Sequence, residues 1–214
     1  ADNGEAYVEW GLNPGNYTRK SGVVILQANV PTEIEVTGLQ ADKRYYYRLC
    51  TKKSGQEHYQ TGKEFFFQTR RAVGSEFSFG VQSDSHPERA GKMFDAELYR
   101  RTLYNAAKAQ PDFYLSLGDD FSIERLINTN NLNQANVSKV YMLQRSYLEI
   151  VGSSSALFLV NGNHEQAARY LLNETDSNAA VLAAKARTDF FPLPAPGKFY
   201  SGNAEEVRHI GLVR

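Results

Sequence analysis

Residues 113–120 read FYLSLGDD and decide which fold the second half of the chain adopts. The first five form a short, largely apolar run, and Gly118 then opens a turn that carries Asp119. Two similar runs occupy residues 77–83 and 156–160. Their length and the turn residues around them indicate strands, so we predict three strands in this half.

Two amphipathic helices are predicted between these three strands. Their apolar residues recur at helical spacing: Ala96, Tyr99, Leu103, Ala106 and Ala107 in the first helix, and Val140, Leu143, Tyr147 and Val151 in the second. A third helix is predicted over residues 179–190, ended by Pro192 and Pro194, and the Asn-rich residues 128–136 are expected to form an exposed loop. The order β-α-β-α-β predicts a parallel α/β sheet with right-handed crossovers.

The first half of the chain is predicted to be all-β. Ile34, Val36 and Leu39 alternate with polar residues, as in a half-buried strand, and no helical stripe is present. We therefore predict a β-sandwich over residues 1–71, a linker at 70–75 and a second domain over 76–214. The expected strands are short β-branched or aromatic runs separated by turns, at residues 6–10, 23–29, 33–39, 44–51 and 64–69.

Each strand of the second half is followed by polar residues. Ligands in open α/β sheets bind beyond the carboxyl ends of the strands, so these residues are expected to face one crevice. The three clusters are Asp84-Ser-His86, Gly118-Asp-Asp120 and Asn161-Gly-Asn-His-Glu165. Any one of them alone is an ordinary turn signal, but their joint occurrence at successive strand ends predicts a site.

Carboxylate, imidazole and amide oxygen donors suit manganese, iron or zinc. Asp84 and His86 can reach one ion together, and Asp119 has two oxygens with which to bridge two ions. Asn163 adds a neutral oxygen, which limits the negative charge where an anionic group would enter. His164 is then placed to contact that group or to protonate a leaving atom. Glu165 is expected to orient a neighbouring imidazole.

The series Asp-x-His, Gly-Asp and Gly-Asn-His-Glu resembles the calcineurin-like metallophosphoesterase superfamily. The stretch GLQADKRYYY at residues 38–47 resembles a corner of fibronectin type III-like modules, and the combined layout is similar to purple acid phosphatases. The resemblance implies an incomplete fibronectin-like sandwich followed by the first half of an α-β-β-α sandwich, with one sheet face uncovered.

The resemblance also implies a function. It implies a phosphoric ester hydrolase that uses two metal ions and a metal-bound hydroxide on a small phosphoester, monoester or diester. Asp84, His86 and Asp119 would hold the first ion, Asp119 and Asn163 the second, and His164 would stabilise the transition state.

Two departures from that family pattern change the expectations. Ser122 stands where the purple enzymes have the tyrosine that binds ferric iron, so no tyrosinate-to-iron colour is expected. The family also completes its site with downstream histidines, and His58 and His209 match neither of those motifs. The chain is therefore expected to be a piece that holds a second metal poorly and turns over slowly.

Composition argues against several other classes of protein. Lys plus Arg equals Asp plus Glu at 24 each, which gives no basic footprint for nucleic acid. No apolar run approaches a membrane span, no Gly-x-Ser-x-Gly elbow supports a serine hydrolase, and the single Cys50 excludes an internal disulfide framework.

A secreted or periplasmic location follows only from the resemblance. The competing hypothesis is a binding or adhesion protein whose phosphoesterase-like domain has lost activity.

Overall fold

The computed structural model describes residues 2–165 and 175–191. The first half forms one antiparallel sheet of five strands in the order β2-β1-β4-β5, with β3 also paired to β1. Its strands are β1 (Gly4–Gly11), β2 (Arg19–Lys20), β3 (Val24–Leu26), β4 (Arg44–Lys53) and β5 (Gln60–Gln68). The elements of this half within the described residues are all β-strands, and β1, β4 and β5 contain or closely match three of the predicted strands.

The predicted strand at residues 33–39 is wrong, because these residues pair with no strand of the described chain. The burial alternation is nevertheless present: Ile34, Val36 and Leu39 pack against a core cluster that contains Trp10 and Tyr45. The segment is extended and lies across one face of the sheet. Alternation reports which side chains face a core, and an extended segment without ladder hydrogen bonds produces the same pattern.

The corner at residues 38–47 is fixed by a side-chain hydrogen bond. The backbone N–H of Gln40 donates to the hydroxyl of Tyr45 over 3.0 Å, and Tyr45 is 5% exposed. Tyrosine corners of immunoglobulin-like sandwiches make the same kind of bond to the backbone a few residues upstream. The turn is therefore tied to the aromatic core.

The second half contains the predicted parallel sheet. β6 (Phe79–Gln82), β7 (Phe113–Ser116) and β8 (Ala156–Leu159) pair in that order, in parallel. The helices are a 3-10 helix (Pro87–Arg89), α1 (Ala96–Lys108), α2 (Glu124–Asn128), α3 (Gln134–Gly152) and α4 (Ala179–Phe190). None of the helices within residues 2–165 and 175–191 is long and apolar enough to cross a membrane.

The boundaries of α1 and α4 agree with the prediction, but the expected loop at residues 128–136 is only partly a loop. α2 ends at Asn128, and α3 already begins at Gln134. Asn133 is the N-cap of α3, and its side chain accepts the backbone N–H of Asn136 over 3.0 Å. Asparagine is favoured at N-caps, so part of the Asn-rich tract starts a helix.

One face of the parallel sheet is covered by helices. Tyr114 and Leu157 on that face pack with Leu103 of α1 and with Tyr147 and Val151 of α3. Leu157 and Leu159 also contact the apolar cluster of α3 and α4. The sheet is thereby held against α1 and α3, which fixes the positions of the strand ends.

The opposite face of this sheet is apolar and exposed in the described part of the chain. The rings of Phe79 and Phe113 stack at 5.2 Å between centroids. Phe77, Phe79 and Phe158 are 60%, 52% and 46% exposed. Because an aromatic side chain presents about 150–250 Å², these three alone expose roughly 300 Å² of apolar surface. The patch reaches the size of the largest found on a typical monomer.

We expect replacement of Phe158 by lysine to reduce binding of a hydrophobic fluorescent dye and to increase solubility. The side chain is half-exposed, so its loss should change the free energy of unfolding by less than about 1 kcal/mol. Val73→Lys is the control, because Val73 is 94% exposed and lies outside the sheet. Equal dye binding by both variants would show that the sheet face is not the binding surface.

Candidate metal centre

The three polar clusters that follow β6, β7 and β8 lie against one another. The backbone N–H of Asp84 donates to the carbonyl of Gly118 over 3.1 Å, which joins the first loop to the second. A Cβ at Gly118 would overlap the backbone nitrogen of Gly162, so the second loop touches the third. The predicted convergence at the carboxyl edge of the sheet is therefore present in the backbone.

Three of the predicted ligands adopt a left-handed backbone conformation. The φ angles of Asp84, His86 and Asp119 are 56°, 44° and 54°. Such angles are uncommon for residues other than glycine, and each costs about 1–3 kcal/mol, which the surrounding contacts must offset. Strained residues of this kind cluster at functional sites.

Glu165 holds the second and third loops together. Its carboxylate accepts the backbone N–H groups of Asp119 and Gly162, each over 2.8 Å, and those of Asp120 and Phe121 over 2.6 and 3.2 Å. The residue is 3% exposed. The expectation that Glu165 orients an imidazole is not met by these contacts. Instead, it fixes the backbone that carries Asp119.

His86, Asp119 and His164 form the centre of the cluster. The backbone N–H of His164 donates to Asp119 Oδ1 over 2.9 Å. The imidazoles of His86 and His164 meet edge to face, 4.9 Å between centroids. His86 is buried and His164 is half-buried, so two imidazoles and one carboxylate from three different loops lie close together.

The other two predicted ligands lie at the exposed rim. Asp84 is exposed, and its Oδ2 accepts the hydroxyl of Ser83 over 2.7 Å. Asn163 is exposed in the turn at residues 163–165. Across residues 2–165 and 175–191, no three His, Cys, Asp or Glu side chains are arranged as a ready-made metal site. The side chains of Asp84, His86 and Asp119 therefore do not share one coordination sphere, although their carboxylate and imidazole groups are of the kinds that bind manganese, iron or zinc.

Glu88 was not singled out from the sequence. Its Oε1 lies 2.8 Å from Nδ1 of His86 and accepts the backbone N–H of Ser122 over 3.0 Å. The position two residues after His86, with a proline between them, is a signal that could have found it. Glu88 therefore provides a carboxylate contact to the imidazole of His86.

A buried polar network lies behind the site. Asp120 Oδ1 accepts the hydroxyl of Ser85 over 2.9 Å and the side-chain amide of Gln82 over 3.0 Å, and Gln144 of α3 donates to the same Ser85 hydroxyl over 3.2 Å. Desolvation by burial raises the pKa of Asp120 to about 6, and the nearby charge of Glu165 adds to that rise. Gln144 is completely buried. The sequence signal that could have identified it is a polar residue within the apolar stripe of α3.

The two remaining histidines lie outside this cluster or outside the described residues. His58 is exposed in a bend of the first half. His209 lies beyond the residues that the structure describes. Of the clefts in the described chain, one of about 780 Å³ and one of about 420 Å³ lie away from the site, against β1, β3 and α3.

We expect Gly118→Ala to destabilise the protein by about 3 kcal/mol. Gly118 has a φ of 96°, and an added Cβ would also strike the backbone of Gly162. The left-handed angle costs about 1–2 kcal/mol for a residue with a Cβ, and forced overlap adds a similar amount. Gly74→Ala is the matched control, because Gly74 has a φ of 87° and open space around it. Urea unfolding should show that Gly74→Ala lowers the free energy of unfolding clearly less than Gly118→Ala does. An equal decrease in both variants would contradict the close contact of the two loops.

Comparison with known proteins leaves the family open. No family model and no curated protein matches the chain. A solved β-glucuronidase of Parabacteroides merdae, with glycerol in its active site, is similar at a TM-score of 0.27 and 11% identity. The alignment covers 76% of this chain and 25% of that one, so the chain spans about a quarter of that enzyme's length. A likeness this weak carries no argument about fold or function.

Proposed function

We propose that the protein is a metal-dependent phosphoric ester hydrolase with a dinuclear metal centre at the carboxyl edge of the β6-β7-β8 sheet. The observation that carries the proposal is the meeting of three donor-bearing loops at that edge. The contact between Asp84 and Gly118 joins two loops, and the contact between His164 and Asp119 joins the third. Left-handed angles at three of the proposed ligands add support.

Each proposed ligand has a stated role at one or both ions. Asp84, His86 and Asp119 would hold one ion, and Asp119 and Asn163 would hold the other. Two such ions supply positive charge to both the attacking and the leaving oxygen of a phosphoryl transfer. His86 is buried, and its Nδ1 lies 2.8 Å from Glu88 Oε1.

His164 is the proposed proton donor to the leaving oxygen. Its backbone N–H donates a hydrogen bond to Asp119 Oδ1, which places the residue next to the proposed bridging carboxylate. The ring is half-buried against His86, and its Nδ1 lies 3.9 Å from Glu124 Oε1. An imidazolium in that position can donate a hydrogen bond to the leaving oxygen and transfer its proton to it, which leaves a neutral imidazole.

We propose that the first half belongs to a fibronectin type III-like sandwich, which the antiparallel sheet and the bond between Tyr45 and Gln40 support. The second half is proposed to be the first part of an α-β-β-α sandwich. The apolar face formed by Phe79 and its neighbours supports this, since parallel sheets are normally covered on both faces.

The test is hydrolysis of p-nitrophenyl phosphate and bis(p-nitrophenyl) phosphate by the chain incubated with Mn²⁺, Fe²⁺ or Zn²⁺. We expect metal-dependent release of nitrophenol that disappears with a chelator and falls in His164→Asn by about 10²-fold or more. His58→Asn is the control, because that histidine is exposed and remote. A chain that retains no metal and cleaves neither ester would contradict the proposal and favour the inactive binding protein.

A further inference from the structure

The carboxylate of Glu88 lies closer to an imidazole of the candidate site than the carboxylate of Glu124 does. Its Oε1 is 2.8 Å from His86 Nδ1, and the two side chains are 10% and 9% exposed. An ionised carboxylate only accepts hydrogen bonds, so the contact requires the proton on Nδ1. The neutral imidazole then keeps its lone pair on Nε2, the nitrogen that remains free to bind a cation.

We propose that Glu88 is a positioning residue that selects this tautomer and orientation of His86. The inference rests on the proposed metal-binding role of His86. Carboxylates that fix metal-binding histidines in this way typically change metal affinity by about 10–100-fold when they are removed.

The local backbone makes the contact between His86 and Glu88 possible. His86 has a φ of 44° and is the N-cap of the 3-10 helix Pro87–Arg89. The tight turn brings the side chain of the second residue back against that of the first. Pro87, which is buried and has a fixed φ, stiffens this turn. The geometry of His86 is therefore set by three consecutive residues.

A second contact anchors Glu88 to another loop. The backbone N–H of Ser122 donates to the same Oε1 over 3.0 Å. Glu88 consequently connects the loop after β6 with the loop after β7, which carries Asp119. Its other oxygen, Oε2, is buried and has no hydrogen-bond partner among the described residues. Burying a carboxylate in this way is costly, and stabilising a functional geometry is a reason to retain it.

The position of His86 also sets that of His164. The two rings meet at an interplanar angle of 88°, so a rotation of His86 would remove the surface against which His164 packs. Loss of Glu88 should therefore disturb both the proposed ligand and the proposed proton donor.

The test is a long-range ¹H–¹⁵N correlation spectrum of the metal-free chain at about pH 8, where imidazoles are neutral. The chain has only four histidines, so His86→Asn assigns the signal. We expect wild-type His86 to carry its proton on Nδ1. In Glu88→Ala the other tautomer should become populated, and the affinity for Mn²⁺ in calorimetry should fall about 10–100-fold.

Two further variants separate positioning from general stability. Glu88→Gln keeps an acceptor oxygen, so it should retain the Nδ1–H tautomer and lose less affinity than Glu88→Ala. Glu124→Ala removes the carboxylate beside the other imidazole and should leave the His86 tautomer unchanged. If Glu88→Ala does not fold, the wild-type spectrum still tests the proposal, because a proton on Nε2 of His86 would overturn it.

The proposal is overturned if wild-type His86 carries its proton on Nε2. It is also overturned if Glu88→Ala keeps both the tautomer and the affinity while only the unfolding midpoint falls. If the tautomer depends on Glu88 but Mn²⁺ does not bind to the wild type, the positioning contact stands and the proposed function fails. The two ideas are thus separable in one set of samples.

Discussion

Asp119→Asn should lower the rate of phosphoester hydrolysis by about a thousandfold. The proposed role of Asp119 is to bridge two cations, and asparagine replaces one charged oxygen by an amide that cannot bridge. Metal ions supply several kcal/mol of charge stabilisation to such transition states, and about 4 kcal/mol corresponds to a thousandfold in rate. Steady-state hydrolysis and Mn²⁺ calorimetry on the same samples would measure the effect.

The matched control is Asp42→Asn. Asp42 has a φ of 53° and Asp119 one of 54°, so both substitutions place asparagine, which tolerates this region, at the same backbone angle. Asp42 lies in the first half and contacts Arg71 at 4.0 Å. Equal activity of the two variants would remove Asp119 from the proposed centre, whereas loss in Asp119→Asn alone supports it.

Glu165→Ala should produce the largest loss of stability, at least about 3 kcal/mol. The substitution leaves four backbone N–H groups of two loops without their acceptor. A buried donor without a partner costs about 1–3 kcal/mol, and water entering the space left by the side chain would reduce the sum. Urea unfolding of the metal-free chain would measure the change independently of catalysis.

Glu57→Ala provides the comparison for this experiment, because Glu57 is exposed in a turn of the first half. The free energy of unfolding of Glu57→Ala should lie within about 0.5 kcal/mol of the wild-type value, as is usual for substitutions at surface positions. A Glu165→Ala protein as stable as Glu57→Ala would mean that the second and third loops are held by other contacts. Glu165→Gln should lie between them, because it keeps one of the two acceptor oxygens.

The elements predicted best were those whose signal is local and periodic. α1 and α4 each bury one apolar stripe, and β7 is a short apolar run between turns. Each of these patterns is compatible with only one type of secondary structure. Residues 33–39 show the opposite case. Ile34 and Val36 face a core, but whether an extended segment pairs with a neighbour depends on what lies beside it, which the segment's own sequence does not encode.

The positions of the candidate residues were predicted to a similar extent. The meeting of Asp84, Asp119 and His164 at one edge follows from strand order alone, because parallel strands end on the same side. The roles of Glu88 and Glu165 do not follow from it. Each depends on where backbone N–H groups of another loop point, and those directions are set by the left-handed angles at Asp119 and its neighbours. Sequence spacing contains no such information.

Anomalous diffraction from crystals of the chain grown with millimolar Mn²⁺ tests the central claim most directly. We expect a peak within about 2.0–2.5 Å of an Asp119 carboxylate oxygen, a distance usual for metal–oxygen bonds, with His86 Nε2 and an Asp84 oxygen as further ligands. A second, weaker peak should lie between Asp119 and Asn163, because this chain is expected to hold a second metal poorly. Manganese bound only at other positions, with no peak near these four side chains, would contradict the account.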